Sequence, residues 1–128
     1  MPEFSDESLA RLSTCDYKLQ HLFKEVVKQF DCTVIEGYRS ERKQLILFQE
    51  GRSKVEKGKH NTTPSMAVDV APYPIDWDDK ERFYYFAGFV KAVSILVGVD
   101  IRWGGDWDDD KNMDDQTFND LTHFEIRG

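Results

Sequence analysis

No stretch of this sequence approaches the roughly 20 consecutive apolar residues that cross a bilayer, so a membrane-spanning helix is excluded. Cysteine is nearly absent. Cys15 and Cys32 are the only two, and their spacing suits neither a metal pair nor a disulfide framework. Cys15 falls on the apolar stripe of the first helical segment, so a buried free thiol is expected there, with a Cys15–Cys32 disulfide as the alternative that a reducing compartment disfavours. Basic residues are short in supply: 17 Lys and Arg face 24 Asp and Glu, for a net charge of −7. That balance excludes a general nucleic-acid binder and disfavours a metal-dependent nuclease. The opening residues Met-Pro-Glu-Phe-Ser-Asp-Glu are acidic and lack a basic-then-apolar leader. Synthesis in a cytoplasm is therefore expected, with any export left to another factor. Repeats and low-complexity linkers are missing too. The 128 residues suffice for one domain with a real core, expected to span 1–128.

What is present is a regular alternation of elements. Leu9, Leu12, Leu19, Leu22, Phe23, Val26, Val27 and Phe30 recur at helical spacing, predicting one amphipathic helix or a broken pair over 5–30. A short β-branched strand is predicted over 33–38. Ser40 then caps a helix that stops at Gly51. Residues 52–65 read as a loop. A strand follows and ends at Pro72-Tyr73-Pro74, since proline cannot continue a central strand. A long helix is predicted over 76–98, then a brief strand at 101–103, an acidic loop over 106–120 and a last strand. Helices interspersed with a few strands predict an α+β domain, a small and mostly antiparallel sheet packed against helices.

The two later strands share a design. In Met66-Ala67-Val68-Asp69-Val70-Ala71 the bulky apolar residues take one face and Asp69 the other, between two alanines. In Thr122-His123-Phe124-Glu125-Ile126, His123 and Glu125 share the face opposite Phe124 and Ile126. Side chains alternate across a strand, so each segment can bury one face and aim a ligand from the other. With His60 upstream, His60, Asp69 and His123 make a His₂Asp set that suits a catalytic metal with one position open for water. Such a metal acidifies water and polarises a carbonyl. Asp120, three residues before His123, is placed to serve as the base. As composition alone this is a weak signal, because an Asp-rich domain often holds two His by chance.

The blocks Lys59-His60, Ser65-Met66-Ala67-Val68-Asp69 and Asp120-Leu121-Thr122-His123 resemble the motifs of the peptidase M15 family. That family comprises zinc D-alanyl-D-alanine carboxypeptidases and dipeptidases and phage L-alanyl-D-glutamate endopeptidases. Its pattern is Ser-x-His-x-x-Gly-x-Ala-x-Asp, followed later by Glu or Asp, two residues and His. Gly37-Tyr38-Arg39-Ser40 with Gln44 and Gly51, Ala71-Pro72-Tyr73 with Ile75-Asp76-Trp77, and Arg102-Trp103-Gly104-Gly105-Asp106-Trp107 extend the likeness from about Thr33 to Ile126. The last of these is similar to a recurrent phage-endolysin segment.

The resemblance implies a Hedgehog/DD-peptidase-like fold with His60, Asp69 and His123 as Zn²⁺ ligands and Asp120 as general base. It implies Arg39 as the arginine near the substrate carbonyl or carboxylate, stabilising an oxyanion or binding the acidic peptide. The implied substrate is a peptidoglycan stem peptide, cut by a monomer without nucleic-acid or membrane partners. An endolysin of this type waits in the host cytoplasm until a holin opens the membrane. L-Ala-D-Glu endopeptidase activity is the first reading and D-Ala-D-Ala carboxypeptidase the second. A non-catalytic zinc-binding or wall-binding module is the rival from another class.

Two departures stand out. Eight residues separate His60 from Asp69 where the pattern has six, so 61–64 must bulge. Gly58 stands in the place of the leading Ser, and Ser65 in the place of Gly. Several other residues have an ordinary reading. His21 is expected at the surface, Gln44 solvated on its helix and Glu125 exposed, with an outer role beside His123 as its alternative. Tyr73, Trp77, Trp103 and Trp107 are each expected in the core rather than a groove. Asp106-x-Asp108-x-Asp110 starts like a calcium loop, but Lys111 and Thr117 replace its Gly and Glu, so a solvated acidic flap is expected.

Overall fold

The computed structural model describes residues 2–51, 58–105 and 120–127. Its elements are α1 (Asp6–Leu12), α2 (Tyr17–Val27), β1 (Cys32–Glu36), α3 (Glu41–Gln49), a 3-10 turn (Lys59–Asn61), β2 (Ala67–Pro72), α4 (Lys80–Val97), β3 (Ile101–Trp103) and β4 (His123–Ile126). The strands form one antiparallel sheet in the order β1-β2-β4-β3. The predicted α+β architecture is thus present. Among the described residues no helix is long and apolar enough to cross a membrane.

The amphipathic segment over 5–30 is a broken pair. Ser5 and Asp16 cap α1 and α2 with side-chain acceptors, and the chain turns between them. Helix α4 starts at Lys80 rather than at 76, because Asp79 supplies the cap through Arg82 N. It ends on Gly98, whose φ of 76° is the left-handed conformation that glycine adopts without strain.

One sheet face holds the core. Val34, Val68, Val70, Ile101, Phe124 and Ile126 pack against Leu19, Leu22, Phe23 and Val26 of α2 and Phe86 and Val90 of α4. Phe124 sits at the centre, with edge-on contacts to Phe23 at 5.4 Å and Phe86 at 6.1 Å. Both cysteines are free and buried. Burial pushes the Cys15 thiol up to about 11, so it stays protonated and inert. Strand β1 lies at the sheet edge, where unpaired backbone groups invite association. Helix α1 covers that edge: Val34 N donates to Ser8 Oγ at 3.1 Å, and Arg11 Nη1 donates to Val34 O at 3.1 Å.

The opposite face carries the polar residues. Strands β1 and β2 pair regularly from Cys32↔Pro72 to Val34↔Val70, then a bulge brings Glu36 rather than Ile35 opposite Asp69. Because side-chain faces alternate, that extra residue turns Glu36 onto the same face as Asp69. Asp69 in turn faces His123 across β2 and β4. Tyr73 and Trp77, expected in the core, are exposed. Trp77 stacks on Phe83 outside the sheet, at 5.6 Å. The chain there leaves β2 through prolines and cannot carry the rings back over the core. Trp103 is buried as expected. Trp107 and the aspartates of the acidic flap lie outside the described residues.

Candidate active site

His60 reaches the sheet from the 3-10 turn. The segment 61–66 absorbs its two extra residues in a hydrogen-bonded loop: Thr62 Oγ1 donates to Pro64 O at 2.9 Å, Met66 N to Thr62 Oγ1 at 3.1 Å and Met66 N to Lys59 O at 2.9 Å. Ser65 ties this loop to the α1–α2 junction, with Ser65 N donating to Thr14 O at 2.9 Å and Asp16 N to Ser65 O at 2.8 Å. The turn is pinned to Arg39 through Arg39 N to His60 O at 2.8 Å and Asn61 Nδ2 to Arg39 O at 2.7 Å.

The imidazole orientations follow from their partners. His60 Nδ1 lies 2.7 Å from Gly37 O. A carbonyl only accepts, so Nδ1 carries the proton and Nε2 keeps its lone pair. His123 Nε2 lies 2.8 Å from Glu125 Oε1. Burial raises the Glu125 carboxyl, but the bonds from His123 and Lys59 outweigh it and hold it below the usual range. Glu125 is therefore the acceptor, and His123 Nδ1 faces inward.

Three atoms converge on one point. Asp69 Oδ1 lies 3.5 Å from His60 Nε2 and 3.7 Å from His123 Nδ1. His60 Nε2 and Asp69 Oδ1 are buried and without hydrogen-bond partners. Such orphaned atoms are costly unless something joins them. Ligand atoms bound at about 2.0–2.2 Å to a tetrahedral ion stand roughly 3.3–3.6 Å apart; the His60 separation falls in that range and the His123 separation lies just beyond it. The set can hold a metal ion. Burial lowers the His123 imidazole, but Asp69 and Glu125 more than reverse this and push it up to about 9. The same imidazoles hold the Asp69 carboxyl well below its ordinary value despite burial.

Asp120 stands at the rim. Its Oδ2 is 4.0 Å from His123 Nδ1, and burial together with the nearby Asp69 charge raises its carboxyl. A raised carboxyl suits an acid–base role near neutral pH. Its position is fixed from β3: Asp120 N donates to Gly104 O at 2.9 Å and Trp103 Nε1 to Leu121 O at 2.9 Å. Gly104 is required there, because a Cβ would fall 2.1 Å from Asp120 O.

Arg39 is present at the site, held by Glu36, Gln44 and Asp69. Its Nε donates to Glu36 Oε1 at 2.8 Å, Nη1 to Gln44 Oε1 at 2.7 Å, and Nη2 reaches Asp69 Oδ2 at 3.5 Å. Gln44, expected in solvent, is buried, because its amide supplies the acceptor for Nη1. Glu125, expected exposed, is buried beneath the Lys59 turn, with Lys59 Nζ 3.2 Å from its Oε2. Glu36 carries no site signal in the sequence, and Lys59 enters only as the neighbour of His60 in a motif block. Lys59 adjoins His60, which was a usable signal, whereas the role of Glu36 depends on the bulge. His21 is exposed, as expected.

Residues 2–127 match the family of phage L-alanyl-D-glutamate peptidases. This chain belongs to that family. Membership makes it a peptidoglycan peptidase, as the motif resemblance implied. The fold is shared with the crystal structure of the Serratia marcescens L-Ala D-Glu endopeptidase ChiX, at a TM-score of 0.80 and 22% identity. That match covers 98% of this chain and 91% of the Serratia chain.

Proposed function

We propose that this chain is a zinc endopeptidase that cuts the L-Ala–D-Glu bond of peptidoglycan stem peptides, with 1–128 as one catalytic domain. The observation that carries the reading is the buried, unpartnered pair His60 Nε2 and Asp69 Oδ1, with His123 Nδ1 3.7 Å from the same Asp69 oxygen. His60, Asp69 and His123 hold the ion in this reading. Two imidazoles and a carboxylate with an open fourth position favour zinc over magnesium or calcium, which prefer all-oxygen sites. The ion, when bound, supplies Lewis acidity that polarises the scissile carbonyl and acidifies water.

The remaining work falls to the protein. Asp120 takes a proton from the attacking water and returns it to the nitrogen of the departing D-Glu. Arg39 acts through Asp69: its guanidinium, fixed by Glu36 and Gln44, holds Asp69 Oδ2 so that Oδ1 points at the ion. The chain works as a monomer, reaching the wall from the host cytoplasm once the membrane is opened by a holin.

Mass spectrometry of digested peptidoglycan tests the bond assignment. New fragments with a D-Glu N-terminus are expected. Release of free D-Ala would instead assign a carboxypeptidase. The reading as a non-catalytic binding module predicts no product at all.

A further inference from the structure

Four cationic side chains flank the sheet face that carries the candidate ligands, and three are held by protein anions. Arg39 is bound by Glu36, Gln44 and Asp69, Lys43 by Glu36, and Lys59 by Glu125 and Ile126 O. The fourth is Arg102. It stands directly opposite Glu125 across β3 and β4 and therefore shares its face. Glu125 has already committed one oxygen to His123 and the other to Lys59. Among the described residues the Arg102 side chain has no hydrogen-bond or ion-pair partner, and the residue is partly exposed.

The register also fixes the strand position from which this side chain extends. Trp103 pairs with Phe124, so Arg102 is the diagonal neighbour of His123, about 7–8 Å away across the strands. Asp120 packs on Gly104, two residues along the same strand, or about 7 Å from Arg102. In the proposed reaction Asp120 protonates the departing amine, so the leaving half of the substrate lies along β3. That half begins with a D-glutamyl residue. It carries two carboxyl groups and can use only one in its onward peptide bond, so one carboxylate remains free beside the scissile nitrogen.

We propose that Arg102 is the receptor for this free carboxylate, making it the residue that selects an acidic leaving group in a protein of net charge −7. A guanidinium pairs with a carboxylate through two parallel N–H bonds, which orients the substrate as well as attracting it. The inference rests on the L-Ala–D-Glu reading above.

The test uses two synthetic stem peptides, identical except that the free D-Glu carboxylate is a carboxamide in the second. The metal-loaded full chain should cleave the acid with kcat/KM about 10- to 100-fold above the amide, the range for one charge-assisted contact. Arg102→Gln should collapse that preference to near unity, and Arg102→Lys should retain part of it. Metal content should stay the same in both variants. Equal handling of the two peptides by the wild-type chain, or an undiminished preference in Arg102→Gln, overturns the proposal. Cleavage at a different bond appears as a different product mass; it removes the parent reading, and the subsite with it.

Discussion

Asp69 Oδ1 and His60 Nε2 face each other at 3.5 Å in the protein interior, and neither has a hydrogen bond. His60 comes from the 3-10 turn and Asp69 from strand β2, and the His60 ring is oriented by Gly37 O, which accepts from its Nδ1. A cation between them satisfies both. Adding zinc to chelator-treated protein at about 100 times its dissociation constant should stabilise the fold by about 2.7 kcal/mol. For a chain of this size the thermal midpoint should rise on the order of 10 °C. His60→Ala should abolish the rise, as followed by calorimetry with and without metal.

Asp120→Asn should lower kcat by about 10²- to 10⁴-fold, the usual contribution of a positioned acid–base group. Zinc content should remain near one ion per chain, because Asp120 lies outside the converging trio. Turnover assays paired with metal analysis separate the two effects. Undiminished turnover removes Asp120 from the base role.

Glu125→Ala removes the acceptor that fixes His123 Nε2. Metal affinity should fall about 10- to 100-fold, as with other outer partners of ligating histidines. Glu125→Gln, which keeps an acceptor oxygen, should lose less. A competition titration against a chromogenic chelator measures both.

Gly104→Ala places a methyl 2.1 Å from Asp120 O, so strand β3 or the turn at Asp120 must move. Overpacking of this kind costs about 1–3 kcal/mol. Denaturant unfolding should report that loss, and activity should drop with it because Asp120 is displaced from His123.

Glu36 contributes to the acid limb of stability. Burial raises its carboxyl, but Lys43 and Arg39 overcome this and hold it below its ordinary 4.5. A lowered folded-state value gives stability that is full above the unfolded value and is lost as pH falls through the folded one. Glu36→Gln should therefore flatten the decline in unfolding midpoint on acidification below about pH 4.5, with the comparison made on metal-free protein.

Much of this was legible in the sequence. The helical spacing from Leu9 to Phe30, the Ser40 cap and the alternation around Asp69 and His123 are local patterns, and each element formed where its pattern lies. Strand alternation aimed two of the trio His60, Asp69 and His123, but it was the motif resemblance that singled the three out. What stayed hidden depends on tertiary pairing. The bulge that turns Glu36 toward Asp69 leaves no mark in the composition of Cys32–Glu36. Gln44 reads as an ordinary helical polar residue until Arg39 is seen to need its amide. Glu125 reads as exposed until the Lys59 turn folds over it. Arg102 reads as one more paired strand residue until His123 and Lys59 are seen on the Glu125 opposite it.

The most direct test of the central claim is anomalous diffraction at the zinc edge from crystals of metal-loaded protein. A single peak is expected at about 2.0–2.2 Å from His60 Nε2, Asp69 Oδ1 and His123 Nδ1. No peak there, or a peak bound through His60 Nδ1 or through other side chains, would contradict the account.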